Sequence, residues 1–175
     1  MIIAGIGSRK TPKKVLDLMV KIGEWALKNG HEVRSGHAEG ADYAFECGAR
    51  DNCTAYMPWR SFNSKDRKMT KNWLVWDDID PSVRARAIRS VKKYHPNSSR
   101  VLAKQSWTKL HARNYFQIMG HGLLEQPVNM VWCWTPQGKG GGGTGQAIRL
   151  AKANGIKVFD LGNPSVYDAA LKKLS

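Results

Sequence analysis

Gly138-Lys139-Gly140-Gly141-Gly142-Gly143-Thr144-Gly145-Gln146 separates two runs of different period. Before it, Val128-Asn129-Met130-Val131-Trp132-Cys133-Trp134-Thr135 reads as a strand; after it, Ala147-Ile148-Arg149-Leu150-Ala151-Lys152-Ala153 reads as a helix. A glycine cluster between strand and helix lets backbone N–H groups close around an anion, and the helix N-terminus adds partial positive charge. The stretch implies an α/β chain and a phosphate-bearing ligand. Gly140 to Gly143 taken alone would suit a flexible surface loop; the flanking strand and helix favour binding. No Gly-Lys-Ser/Thr follows, so this is not a Walker A loop. The glycine spacing and late position also differ from the dinucleotide fingerprint.

Outward from this stretch, strand-like and helix-like segments alternate. Ile2 to Ile6 reads as a buried strand. Val15, Leu16, Met19, Ile22, Trp25 and Ala26 recur at helical spacing over residues 12–28, which Asn29-Gly30 ends. A short strand at 31–35, a helix from Ala41 to Ala49 and a strand at 54–58 follow. Helices are expected at 82–94, 106–123, 145–154 and 164–174, with a strand at 157–161. The pattern predicts one domain over 1–175. Its core is a Rossmann-like parallel sheet with helices on both faces. The stretch from about 60 to 106 is rich in Lys, Arg and Trp and reads as an insertion decorating it.

The chain has 175 residues, 42% apolar and 24% charged, ordinary for a soluble globular protein. No apolar run approaches the roughly 20 residues of a membrane span, and the apolar N-terminus reads as a strand rather than a signal peptide. Cys47, Cys53 and Cys133 form no metal pattern, so reduced thiols, no metal and a cytoplasmic location are expected. The net charge is +14, and Arg60 to Arg113 holds fourteen Lys/Arg against four Asp/Glu. Such an excess favours polyanionic or phosphate-rich partners.

Ligands of an open parallel sheet bind outside the carboxyl ends of its strands. Three loops with suitable chemistry fall there. In Gly5-Ile6-Gly7-Ser8-Arg9, Gly5 and Gly7 allow close backbone approach, Ser8 offers a hydroxyl and Arg9 a forked cation. In Ser35-Gly36-His37-Ala38-Glu39-Gly40-Ala41-Asp42, Ser35 and Gly36 again bring backbone close. Asp42 is expected to hold a ribose hydroxyl, Glu46 to be solvated, and His37 to be incidental. The third loop is the glycine run, with Thr135 before it and Gly142, Gly143, Thr144 and Gln146 as contacts. Arg113 and Asn114 of His111-Ala112-Arg113-Asn114 are placed to reach the same cleft.

Gly-x-Gly-Ser-Arg at the first strand, Ser-Gly-x-Ala-x-Gly-Ala-Asp at the second and the late Gly-Gly-Thr-Gly loop together resemble the SLOG superfamily. That group contains DprA/Smf DNA-processing proteins, LOG-type phosphoribohydrolases and ligand-sensing modules of antiphage systems. The resemblance spans 1–58 and 107–162 and is strongest to small, single-domain DprA-like proteins often encoded by bacteriophages. It implies a Rossmann-like fold, nucleotide-type ligands at these loops and a homo-oligomer. LOG-type enzymes carry Pro-Gly-Gly-x-Gly-Thr-x-x-Glu. Here Ala147 stands at the glutamate position and the upstream proline is missing, which argues against that hydrolysis and leaves no catalytic residue or cofactor expected.

Three functions follow. The first is a binding protein for a cyclic nucleotide or ADP-ribose-like molecule; in a phage it would sequester a host immune signal in the bacterial cytoplasm. The second is DprA-like single-stranded DNA binding, with Trp59, Phe62, Trp73, Trp76, Tyr94 and Trp107 interleaved among the cations. The third is a nucleotide N-glycoside hydrolase or transferase using Asp42.

Overall fold

In the computed structural model, which describes residues 1–63 and 72–174, strands and helices alternate as the sequence pattern requires. The order is β1 (Ile2–Gly5), α1 (Lys13–Lys28), β2 (Glu32–Ser35), α2 (Ala41–Ala49), β3 (Cys53–Met57), β4 (Asn72–Val75), α3 (Pro81–Tyr94), α4 (Ser98–Leu102), α5 (Gln105–Met119), β5 (Met130–Cys133), α6 (Gly142–Ala153), β6 (Lys157–Asp160) and α7 (Pro164–Leu174). The six strands form one sheet in the order β4-β3-β2-β1-β5-β6, with every neighbouring pair parallel. This is an α/β, Rossmann-like fold.

Strand alternation sorts the side chains into two cores. Ala4, Val131 and Cys133 face α3, α5 and α6, where they meet Ala87, Val91, Phe116, Ile118 and Ala151. Ile3, Val33 and Cys53 face α1, α2 and α7, packing with Leu18, Met19, Ile22, Phe45 and Ala170. The chain winds from β1 through β2 and β3 to β4, then returns to add β5 and β6 on β1's other side. The reversal lies between β1 and β5, where such sheets leave a crevice at the carboxyl ends.

Local chemistry explains the boundaries. Helix α3 begins at Pro81 because the Asp80 carboxylate accepts from the Ser82 amide. Helix α5 stops at Met119, four residues before the expected end, because Gly120 turns out with φ 84°. Helix α6 starts at Gly142, inside the glycine run rather than after it. The stretch expected to be an insertion also contributes to the sheet. Asn72–Val75 is its edge strand, Trp76 lies in the core, and α3 packs on α5. Lys65, Arg67, Lys68 and Lys71 of the basic run lie outside the described residues.

Cys47 is exposed on α2, whereas burial drives the Cys53 and Cys133 thiols far from ionisation. No described helix is long and apolar enough to cross a membrane.

Gly5 does its work in this packing. A Cβ there would lie 2.3 Å from the Phe45 ring, which is itself fully buried. Gly5→Ala is therefore expected to cost about 1–3 kcal/mol, with Phe45→Leu recovering part of the loss in the double variant. Urea unfolding of the three proteins checks this; additive losses would contradict the overlap.

Candidate anion-binding site

A cleft of about 500 Å³ opens at the carboxyl ends of β1 and β5. Its size is that of a small-molecule site. Gly7, Ser8, Arg9 and Lys10 supply one wall, and Ala38 and Asp42 the floor from the β2–α2 side. Leu110, His111, Arg113, Asn114 and Gln117 of α5 form a second wall. Thr135, Pro136, Gly141, Gly142, Gly143, Thr144 and Ala147 close the third.

The glycine run is held from two sides. Thr135 Oγ1 accepts from the Gly140 amide at 2.9 Å and donates to Asp160 Oδ2. Asp160 Oδ1 in turn accepts from the amides of Thr135 and Gly162, at 2.8 and 2.9 Å. From α5, Asn114 Nδ2 donates to the Gly143 carbonyl at 3.2 Å. Gly140 and Gly142 sit at φ 66° and 65°, a region that glycine enters without strain. The run thereby delivers the first turn of α6 to the cleft. That turn has no side-chain cap and no acidic residue. The first N–H groups of a helix lack intrahelical acceptors, so this end presents donors and partial positive charge to whatever occupies the cleft. Arg9 and Lys10 are exposed at its rim.

The floor is a buried ionic cluster. Asp42 Oδ1 accepts from the Gly7 amide at 3.1 Å, and Oδ2 lies 3.6 Å from Arg113 Nη1. Arg113 Nη1 also donates to the Gly36 carbonyl, and to the Tyr56 carbonyl at 3.4 Å. With its amide oriented to match its neighbours, the Gln117 side-chain oxygen accepts from Arg113 Nη1 and the Gly36 amide, both at 3.0 Å. Burial raises the Asp42 pKa to about 6, with Glu46 adding to the rise and Arg113 opposing it. His111 is pushed the other way, to about 4, by burial first and then by His95 and Arg113. It is neutral at physiological pH and its ring packs edge-on to His95 at 4.7 Å.

Ten of the residues singled out from sequence line the cleft: Gly7, Ser8, Arg9, Asp42, Arg113, Asn114, Thr135, Gly142, Gly143 and Thr144. Gly5, Ser35, Gly36 and Gln146 stand behind its wall. Ser35 Oγ donates to the Asp42 carbonyl at 3.0 Å. A Cβ on Gly36 would lie 1.5 Å from Arg113 Nη1, so that glycine makes room for the guanidinium. Gln146 Nε2 donates to the His111 carbonyl at 3.3 Å. The expectation of a solvated Glu46 is corrected: it is 3% exposed, accepts from the His37 amide at 2.8 Å and pairs with His37 Nδ1 at 2.7 Å. The four-residue spacing from Asp42 turns it inward, and His37 is a buried partner rather than an incidental loop residue. Lys10, Leu110, His111, Gln117 and Pro136 were not singled out. Their signal was adjacency, since each neighbours a chosen motif or sits a helical turn from one.

The aromatic residues of the basic stretch divide. Trp76 is buried, and Phe62 lies under the Arg113 guanidinium, 5.3 Å from ring to Cζ. Trp59 meets Phe62 edge-on. Trp73 and Trp107 are half-buried and carry cations on their faces: Arg60 at 5.2 Å on the former, Arg100 at 5.4 Å and Lys104 at 4.7 Å on the latter. Trp107 shares a face of α5 with Leu110, His111 and Asn114.

No protein-family model matches the chain, and no curated protein matches it. Among solved structures, it is similar to DNA processing protein A from Helicobacter pylori, described for its single-stranded DNA binding mode. The identity is 15% and the TM-score 0.42, over 99% of this chain and 80% of that one.

Asp42 holds its proton more tightly in the folded chain than in the unfolded one, where a carboxyl titrates near 3.8. The folded state therefore carries the excess proton between those values, and the Asp42 contribution to stability falls as pH rises from about 4 to about 6. Relative to Asp42→Asn, the wild type should lose up to about 3 kcal/mol of unfolding free energy over that window. Urea unfolding across pH checks it; parallel profiles would remove the perturbed carboxyl.

Proposed function

We propose that this is a SLOG-like protein that binds single-stranded DNA, seating a backbone phosphate of the strand at the N-terminus of α6. The observation that carries the reading is the uncapped first turn of α6, open to a cleft that exposed Arg9 and Lys10 also line, in a chain of net charge +14. Neutralising one phosphate in a pocket needs only a few cations. An excess of this size suits a polymer of phosphates. Trp107, with Arg100 and Lys104 against it, extends the same face of α5 beyond the cleft, pairing a stacking surface with cations as single-strand binders do.

A second reading is a free nucleotide-type ligand such as a cyclic nucleotide or an ADP-ribose derivative. The buried Asp42 carboxylate supports it, because a group at the cleft floor can accept from a ribose hydroxyl while α6 holds the phosphate. For the hydrolytic reading, Ala147 lines the cleft where LOG-type enzymes place their glutamate, which leaves Asp42 as the carboxylate among the described lining residues.

Fluorescence anisotropy with a labelled oligothymidylate tests the proposal. Affinity should fall steeply with salt. Gly143→Asp, which places a negative charge at the start of α6, should weaken binding at least about tenfold, or ~1.4 kcal/mol. Arg9→Ala with Lys10→Ala should flatten the log–log salt slope by about 0.7 for each phosphate the variant no longer neutralises. Salt-insensitive binding, or an unchanged Gly143→Asp protein, would overturn the proposal. Calorimetric binding of mononucleotides without binding of oligonucleotides would install the free-ligand reading instead.

A further inference from the structure

His111 is half-buried in the wall of the anion-binding cleft, with its ring against the start of α6. A Cβ on Gly143 would come within 3.2 Å of His111 Cε1 and 3.4 Å of Nδ1, so glycine at 143 brings the imidazole against the turn that seats the phosphate. Gln146, fully buried on the same helix, meets His111 from the protein side. Its Nε2 donates to the His111 carbonyl at 3.3 Å, and its Oε1 is buried with no donor among the described residues. A buried acceptor left without a donor is costly. The Gln146 side chain accordingly favours the charged form of the His111 ring. A neutral imidazole donates from one nitrogen and a protonated one from both. Neutral His111 can therefore present a donor to Gln146 or to an anion in the cleft; the imidazolium can serve both.

The free protein keeps this ring neutral for identifiable reasons. Burial comes first, then His95, whose ring meets it edge-on at 4.7 Å, then Arg113. His95 Nδ1 accepts from the Asn97 amide at 3.1 Å, so the proton of that neutral ring sits on Nε2. Burial and Arg149 hold His95 below its ordinary value in turn. Arg9, Lys10 and Arg113 are the cations lining the cleft, and Asp42 is the lining carboxylate among the described residues. Cations thus outnumber acids around His111, and an arriving phosphate supplies the negative charge that the ring lacks.

We propose that His111 is a phosphate-contact residue that takes up a proton from solvent as the strand binds, donating to the phosphate from one ring nitrogen and to Gln146 Oε1 from the other. This rests on the DNA-binding reading of the cleft and makes that binding depend on pH. No bond in the strand breaks; one proton joins the ring. The free ring titrates near 4, and a phosphate beside it moves that value back toward the ordinary 6.5. Binding therefore tightens as pH falls through the value of the complex and levels off near 4, where the free ring is already charged. One proton limits the slope to about tenfold in affinity per pH unit.

Calorimetry of oligothymidylate binding at about pH 5, in two buffers of unequal ionisation enthalpy, counts the protons taken up. Asp42, near 6, already holds its proton there, so the uptake reports on the ring. It should approach one proton in the wild type and vanish in His111→Gln. The affinity ratio of wild type to His111→Gln should grow at least about tenfold from about pH 8 to about pH 5; a purely structural role would lower affinity by one factor at every pH. NMR titration of the ring Cε1–H needs no variant. It should place His111 near 4 in the free protein and at least about one pH unit higher in the complex. Gln146→Leu, which removes the buried acceptor, should shrink that rise. Oligothymidylate that binds without moving the His111 titration, or a ratio constant with pH, overturns this proposal and leaves DNA binding standing. Absence of any binding overturns the DNA-binding reading and this proposal with it.

Discussion

The buried guanidinium of Arg113 is the contact on which the cleft depends. It leaves α5, passes under the β2–α2 loop and meets the Gly36 carbonyl, the Tyr56 carbonyl and Asp42. One side chain thus ties a helix of one layer to two strands and to the helix start of the other. A charge 5% exposed is tolerable only with such partners, because removing it from water costs several kcal/mol. Gly36 has no side chain for the reason that the guanidinium occupies that space. Asp42 is drawn to the floor by the same cation and by the Gly7 amide, and its carboxyl is aimed before any ligand arrives.

This arrangement reassigns work among residues of one motif. Ser35, Gly36 and Glu46 look like ligand contacts or surface groups when read in line, yet they support the floor from behind. Ser8, Arg9 and Thr144 remain at the cleft surface. The cost of burying four ionisable side chains, His37, Glu46, Asp42 and Arg113, is offset by pairing them with each other and with backbone. The result is a rigid floor.

The alternation of strands and helices was legible because each element carries its own period. Ala41–Ala49 was placed to the residue, since Gly40 and the polar turn at Arg50 bracket it. The glycine run was legible as a loop, but its last residues belong to α6; glycine has no side chain to register helical phase, so composition hid the helix start. Strand β4 was missed because it is four residues long and lies in a basic stretch whose charge dominated the reading. The pairing of Asp42 with Arg113, 71 positions apart in sequence, has no local signal. Both residues were legible as cleft candidates, but only packing of α5 across β2 and β3 makes one the partner of the other.

The three thiols divide by depth: Cys53 and Cys133 lie inside the sheet's two faces, and Cys47 alone reaches solvent. Its place on α2 is five residues beyond Asp42, about 7.5 Å along the axis at the rise of an α-helix. Five residues also turn the helix by about 140° net, which carries Cys47 from the buried side that holds Asp42 to the solvent side of α2. A maleimide dye added to the untreated protein will therefore label one known position on the outside of the helix that supplies the cleft floor, with no cysteine substitutions.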